Sequence, residues 1–326
     1  MISRRSLLRL APAAALAPLA AGCTSASMAL KPKLYHDGRL YIGTGNTTGV
    51  YYQIGGGFAD LISEYEPGYV ARAEPTGASG DNITRIVDGD MDLAFCSGDN
   101  AADSATGTGA FAGKKQPIVA LTRLYRSYLH LVVRTAAKIT TVADLRGKRV
   151  STGSPNSGAD VLGGRILQAA GIDPDKDLVR LRQSLPDTTK AMQAGTVDAF
   201  FFTGGVPTPG ITDLFNSAPS AYALLPMDAL LPPLAARYGS VYGTSVLAKT
   251  VYKTPADVAT IVAFNMIITS PGLPDQLAYD LTKILYDHQS DLAKVHPSGS
   301  DYDKANGPAT DPVPLHPGSK RYFQGL

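Results

Sequence analysis

The chain has 326 residues, 44% hydrophobic and 18% charged, with 33 Gly and 23 Pro. This composition excludes a disordered chain, a coiled coil and a disulfide-dense mini-protein, and the length fits about two domains. Its 30 basic and 28 acidic residues give +2, but Arg4, Arg5 and Arg9 stand in an acid-free leader; without those three the balance is 27 to 28, which leaves no electrostatic footprint for nucleic acid.

Residues 1–22 read as an export signal: a basic start, an apolar run from Leu7 to Ala21, and a small-residue end. The run is shorter than the roughly 20 apolar residues of a bilayer span. Ser3-Arg4-Arg5-Ser6-Leu7-Leu8-Arg9 is similar to a twin-arginine signal, with a Sec leader as the alternative. Leu19-Ala20-Ala21-Gly22-Cys23 is similar to a bacterial lipobox, although Ala20 stands where Leu is usual. Cys23 is therefore the candidate for lipidation, and the lipid anchor the only expected membrane contact. Plain cleavage, for instance after Ala29, is the alternative. Residues 24–38 read as a tether. Cys96 lies in the apolar run Leu93-Ala94-Phe95-Cys96, so a buried inert thiol and no internal disulfide are expected.

The mature chain alternates strand and helix signals, and it does so twice. Leu40 to Ile42 reads as a strand, followed by the turn 43–49 and a helix from Val50 to Ser63. A strand at Tyr69 to Ala73, a helix from Ser79 to Val87 and a buried strand at Asp92 to Cys96 follow, ending in the polar loop 97–100. From Lys148 the order repeats. A strand at Arg149 to Ser151 leads into the turn 152–158 and a helix from Ala159 to Ala170. A strand at Leu178 to Leu181, a helix from Asp187 to Ala194 and a buried strand at Val197 to Phe202 complete the repeat. Gly89-Asp90-Met91-Asp92-Leu93-Ala94-Phe95 matches Gly195-Thr196-Val197-Asp198-Ala199-Phe200-Phe201. Such alternation predicts parallel α/β units with right-handed crossovers, whose ligands lie beyond the carboxyl ends of the strands. Two such edges facing each other make a cleft.

Leu129 to Arg134 reads as a strand at the first crossing between the halves, and Thr260 to Ile268 as one after the return. Pro274 to His288 reads as a helix with Leu277, Leu281, Ile284 and Leu285 on one face. Residues from Pro297 onward read as loop. The alternation predicts two parallel-sheet α/β lobes joined by hinge strands. Lobe 1 is 39–129 with 253–326, and lobe 2 is 130–252.

Several pieces, in order, carry a family resemblance. They are Gly49-Val50-Tyr51-Tyr52, Glu74-Pro75-Thr76-Gly77-Ala78-Ser79 with Asn82, Asp92 to Phe95 with Asp99, and Asp144 to Val150. Gly153-Ser154-Pro155-Asn156-Ser157-Gly158, Asp198 to Phe201 with Gly205-Val206-Pro207, and Pro314-Leu315-His316-Pro317-Gly318 follow. Together they resemble the TAXI solute receptors of TRAP transporters, over roughly Leu40 to Phe323. The resemblance implies that the lobes form a two-lobed periplasmic binding protein-like fold of type II. It also implies a small carboxylate, an amino acid such as glutamate or a dicarboxylate, handed to TRAP permease subunits driven by an ion gradient. Departures at Thr48, Ser97, Gly98, Asn156 and Ala159 lie at the expected cleft edge.

The residues themselves suit such a ligand. The turn before each first helix brings backbone N–H groups and a positive helix end to the cleft. Thr48, Gly49, Tyr51 and Tyr52 would act in the first half, and Ser154, Ser157, Gly158 and Ala159 in the second. Ser79 and Asn82 offer polar contacts, although Ser79, Ser154 and Ser157 equally suit helix caps. Ser97 and Asp99 face Thr203 and Gly205 across the presumed cleft, with Asp99 either holding an amine or capping a helix. No catalytic residue, metal or cofactor is expected, and a monomer is.

Other readings are weighed against this one. The turn 43–49 between strand and helix, with Tyr279-Asp280-Leu281-Thr282-Lys283, suggests an exported NAD(P)-dependent oxidoreductase, but the glycine spacing has an extra residue. Glu74 also lies beyond the ~20 residues at which a ribose-binding acid is expected. No Gly-x-Ser-x-Gly elbow and no His-Glu-x-x-His occurs. Asp88, Asp90 and Asp92 mimic the start of a calcium loop without its closing Glu. A receptor of the same fold serving an ABC permease or a sensor kinase remains open.

Overall fold

The computed structural model describes residues 34–325. The export signal, Cys23 and most of the tether lie outside these residues. Leu34 and Tyr35, at the tether's end, pack against the core, and the Tyr35 amide donates to the Tyr69 hydroxyl at 3.0 Å.

The first half runs β1 (Arg39–Gly43), α1 (Val50–Tyr65), β2 (Val70–Glu74), α2 (Ser79–Asp88), β3 (Leu93–Ser97) and α3 (Gly98–Thr106). A long strand, β4 (Val119–Arg134), leads to the second half: β5 (Arg149–Ser151), α4 (Gly158–Ala169), β6 (Val179–Leu181), α5 (Leu185–Gln193), β7 (Ala199–Gly204) and α6 (Pro209–Ser217). Then come β8 (Tyr222–Leu224), α7 (Leu231–Tyr238), β9 (Gly243–Leu247), α8 (Lys249–Tyr252) and β10 (Val258–Thr269). The chain ends with α9 (Asp275–Asp287), α10 (Gln289–Val295) and α11 (Pro317–Gln324).

The internal repeat is visible in the pairing. In the first half β1 lies parallel between β2 and β3; in the second β5 lies parallel between β6 and β7. The full order is β2-β1-β3-β10-β4-β7-β5-β6, with β4 and β10 antiparallel in the middle. Val119 to Thr122 of β4 lies beside the end of β10, which itself pairs with β3, whereas Tyr128 to Val133 pairs with β7. Both strands thus pass from one half into the other. The fold is a two-lobed, periplasmic binding protein-like α/β architecture.

Strand β3 and the start of β7, inside their half-sheets, are buried on both faces, which explains their unbroken apolar runs. In β3, Leu93 and Phe95 point into one core with Ile54, Phe58 and Leu281, while Ala94 and Cys96 point into another with Ile83 and Met266. In β7, Ala199 and Phe201 face Leu162 and Ile166, while Phe200 faces Met192 and Ile211. Cys96 is buried and free, and burial pushes its thiol well above the usual range.

The structure departs from the sequence reading in three places. The polar loop 97–100 opens α3, which a helix-forming Ala101-Ala102 pair and Gly107 at the C-cap sustain. Helix α5 begins at Leu185, because Ser184 caps it by accepting from the Asp187 amide. The C-terminal region holds α11, capped by the His316 ring, a residue type outside the usual capping set. Among the described residues, no helix is long and apolar enough to cross a membrane.

Candidate functional site

The two halves build the same turn after their first strand. The Thr44 amide donates to Glu74 O at 3.0 Å, and the Thr152 amide to Leu181 O at 2.8 Å. The turns that follow are closed by Gly49 N to Asn46 O, 2.8 Å, and by Ser157 N to Ser154 O, 3.0 Å. Each turn delivers the chain into a helix, so the N-terminal ends of α1 and α4 face one cavity, joined by those of α2 and α5.

Each turn also grips the other half. Asn46 Oδ1 accepts from the Leu185 amide at the start of α5, 2.6 Å. Asn156 O accepts from the Gly80 amide at the start of α2, 3.1 Å, and from Asn100 Nδ2, 2.8 Å. The first turn of each half therefore satisfies an unpaired N–H at the head of the other half's second helix. On the far side, His296 Nε2 lies 2.9 Å from Pro207 O. The lobes are shut against one another.

The cavity between them has a volume of about 40 Å³. A single water needs roughly 10–15 Å³ on the same measure, so there is room for a few heavy atoms. A dinucleotide is too large for this cavity. Val50, Leu185, Phe200 and Phe202 supply apolar wall; Asn46, Tyr51, Ser79, Ser154, Ser157, Gln183, Thr188 and Thr203 supply polar groups. Tyr51 is the only ionisable side chain in the lining. Burial raises its phenol well above the usual value, and its hydroxyl donates to Asn265 Oδ1 at 2.6 Å, so it stays neutral.

Of the residues singled out from sequence, the structure brings Gly49, Tyr51, Ser79, Ser154, Ser157, Gly158, Ala159 and Thr203 to the cavity wall. Ser157 is also the N-cap of α4, accepting from the Asp160 amide at 3.2 Å. Ser79 caps nothing; it opens α2 and its Oγ accepts from the Ser97 amide at 3.0 Å. Gly158 meets the opposite half closely, since a Cβ there would stand 2.9 Å from Ser97 Oγ.

The remaining candidates lie elsewhere. Asn82 is wholly buried and ties three segments together: its Nδ2 donates to Thr44 O and Phe95 O, and its Oδ1 accepts from Thr76. Asp99 is wholly buried and accepts from Ser97, the Asn100 amide and the Tyr242 hydroxyl. Ser97 is taken up by Asp99 and Asn100. Thr48 packs on Gly210, and Gly205 sits against Ser298 and Val50, at the seam between the halves. Tyr52 is absent from the wall.

The sequence reading missed the apolar wall and the α5 end. Phe200 and Phe202 sit in a strand whose continuous apolar run hides which side chain faces a ligand. Gln183, Leu185 and Thr188 occupy in the second half the strand-to-helix junction that Ala78 and Ser79 occupy in the first, so the repeat itself was the missed signal. Among the described residues, no group of three His, Cys, Asp or Glu is placed to hold a metal.

A family model described as the NMT1-like family matches residues 42–325, and the chain belongs to that family. The fold is similar to that of PhnD1 from Prochlorococcus marinus (MIT 9301), solved with methylphosphonate: TM-score 0.54, 12% identity, covering 81% of this chain and 90% of that one. It is also similar to a binding protein component of an ABC phosphonate transporter from Pseudomonas aeruginosa, with a TM-score of 0.51, 14% identity and coverage of 80% and 79%. A putative L-cystine ABC transporter protein from Listeria monocytogenes gives 0.50, 15%, 82% and 99%. These findings correct the resemblance to TAXI receptors of TRAP transporters, and with it the TRAP permease as partner. The quoted motifs sit at strand ends, turns and helix starts, positions that the two-lobed fold itself constrains, so they identify the architecture before the family.

Proposed function

We propose that this chain is the solute receptor of an ABC-type importer, acting outside the cytoplasm. Its ligand on this reading is a small anion with one compact charged head and a short apolar part, held between lobes 39–129 with 253–326 and 130–252, and no bond is made or broken. The carrying observation is the cavity itself: four helix N-terminal ends, those of α1, α2, α4 and α5, converge on it, one wall is apolar, and among the described residues no charged side chain lines it. Helix ends supply backbone N–H donors and a favourable field for an anion. The ammonium of an amino acid would meet no carboxylate, and the second carboxylate of a dicarboxylate no cation; burying either charge unpaired is strongly unfavourable. Glutamate and succinate therefore fit poorly. Methylphosphonate, which the Prochlorococcus protein binds, has the required shape. The ABC partner is supported by the transporters to which the similar structures belong, and export by the arginine-bearing leader. A lipid on Cys23 is part of the same proposal.

The test is a thermal-stability panel with methylphosphonate, methanesulfonate, acetate, glutamate and succinate. A solute at 100 times its dissociation constant adds about 2.7 kcal/mol to the folded state. The expected result is an upward shift with one or more of the first three, reduced by Ser157→Ala or Thr203→Val. A larger shift with glutamate or succinate overturns the ligand class.

A further inference from the structure

One edge of the cleft is shut by a charged cluster that lies outside the solute cavity. Arg165 on α4 donates through Nη2 to Asp103 Oδ2 on α3 at 2.5 Å, and through Nη1 to the Tyr242 hydroxyl at 2.7 Å. That hydroxyl donates in turn to Asp99 Oδ2 at 2.9 Å. The guanidinium stands 4.0 Å above the Tyr238 ring, and Asp99 is held in place by the Ser97 hydroxyl at 2.6 Å. All four linked residues are more than nine-tenths buried or at that limit: Arg165 at 9% exposure, Asp103 at 8%, Tyr242 at 6% and Asp99 at 1%. Asp99 and Asp103 belong to the first half; Arg165 and Tyr242 belong to the second.

We propose that Arg165 and Tyr242 form a latch that holds the lobes shut by closing onto Asp103 and Asp99. The physics favours one closed geometry. When the lobes part, Arg165 and Asp103 regain water and neither suffers. When the lobes meet in register, each buried charge finds its partner and its hydrogen bonds; when they meet out of register, a charge is buried unpaired, which costs far more than the pair itself gains. The neighbouring arginines do not share this role. Arg180 and Arg182 pair with Asp160 and Asp175, all within the second half, and their bonds are indifferent to opening.

The proposal rests on the receptor reading insofar as it needs two lobes that move, but its test needs no solute. The full chain carrying Cys23→Ser would be spin-labelled at Lys115→Cys and Lys176→Cys, exposed positions on opposite halves; Cys96 is buried and escapes the label. The distance distribution is read by pulsed electron resonance. Arg165→Met and Asp103→Asn should each move it to longer values, with the ratio of shut to open molecules falling roughly a hundredfold or more. Arg182→Met should leave it where it was. If Arg165→Met does not fold, as judged by circular dichroism, Asp103→Asn decides alone. An unchanged distribution in a folded latch variant overturns the latch, as does an equal shift in Arg182→Met. A silent solute panel would remove the ligand class and leave these distances standing.

Discussion

Gly80→Ala separates the shut form from every other folded form. Gly80 is the second residue of α2, and its amide donates to Asn156 O across the cleft. A Cβ at this position would stand 2.7 Å from both Asn156 O and Asn156 Cβ. One of these is a backbone atom that cannot swing aside, so the turn before α4 must retreat. Overpacking of this kind costs about 1–3 kcal/mol, and here the shut form alone bears it. The same substitution removes a helical glycine, which favours all folded forms by roughly 0.5–1 kcal/mol. In a background whose latch is released by Asp103→Asn, so that the solute-free chain is open, solute affinity should therefore fall roughly 5- to 150-fold, and the unfolding free energy without solute should stay level or rise slightly. Urea unfolding and calorimetric titration, with whichever anion shifts the thermal midpoint, measure the two quantities on the same sample. A variant that loses 1–3 kcal/mol of stability while keeping its affinity would show that Gly80 meets Asn156 in all folded forms, and would refute the argument.

Other substitutions report on the walls of the site. Ser157→Ala removes the α4 cap and should lower the unfolding free energy by about 1 kcal/mol in urea, besides weakening solute binding. Ala78 has φ 70° and ψ −150°, a region otherwise left to glycine, so Ala78→Gly should stabilise the fold by up to about 1 kcal/mol, and a loss of stability would contradict the strain. His130 is wholly buried behind Phe202, its Nε2 2.9 Å from the Tyr252 hydroxyl, and burial lowers its pKa to about 4. The unfolded chain takes up that proton near pH 6.5 and the folded chain refuses it until about pH 4. Stability from this group is thus intact above pH 6.5 and falls by about 3 kcal/mol as the pH drops to 4. His130→Asn should flatten the fall, as read from urea midpoints across that window.

The order of elements was legible because the hydrophobic run changes period wherever a strand gives way to a helix, and because the whole pattern occurs twice. Thr44, Gly45 and Gly49 return as Thr152, Gly153 and Ser157 at a constant spacing, and the structure gives the first and last of these pairs the same backbone bonds. What the sequence hid was direction. Ser97 and Asp99 sit at the expected strand end, yet the chain continues straight into α3, where Ser97 bonds Asp99 and Asn100 and Asp99 accepts from Tyr242. Asn82 looks like a polar contact but spends both donors on main-chain carbonyls. Phe200 and Phe202 look like core and also wall the cavity. These outcomes depend on what lies across the cleft, on residues more than a hundred positions away, and no local pattern records that.

The two edges of the cleft are unequal for a reason that the repeat exposes. The spacing that carries Thr44 to Thr152 and Gly49 to Ser157 carries Gly57 of α1 to Arg165 of α4. At Gly57 the helix is covered by Leu292 and Val295 of α10, with no space for a side chain; a Cβ there would stand 2.9 Å from Val295. At Arg165 the same helical position reaches over to the other half and pairs with Asp103. One copy of the helix has been fixed to its own lobe by apolar packing and the other left to bridge by charge. Apolar packing within a lobe persists whatever the cleft does, whereas a charged bridge forms only when both lobes present their partners together. The edge at α4 is therefore the one that should part first, and the α10 edge, with His296 against Pro207, the one that should part last. Hydrogen exchange at the Tyr242 and Gly158 amides, compared with that at Gly299 and Val50, orders the two: earlier exchange on the α10 side would reverse the assignment of mouth and hinge.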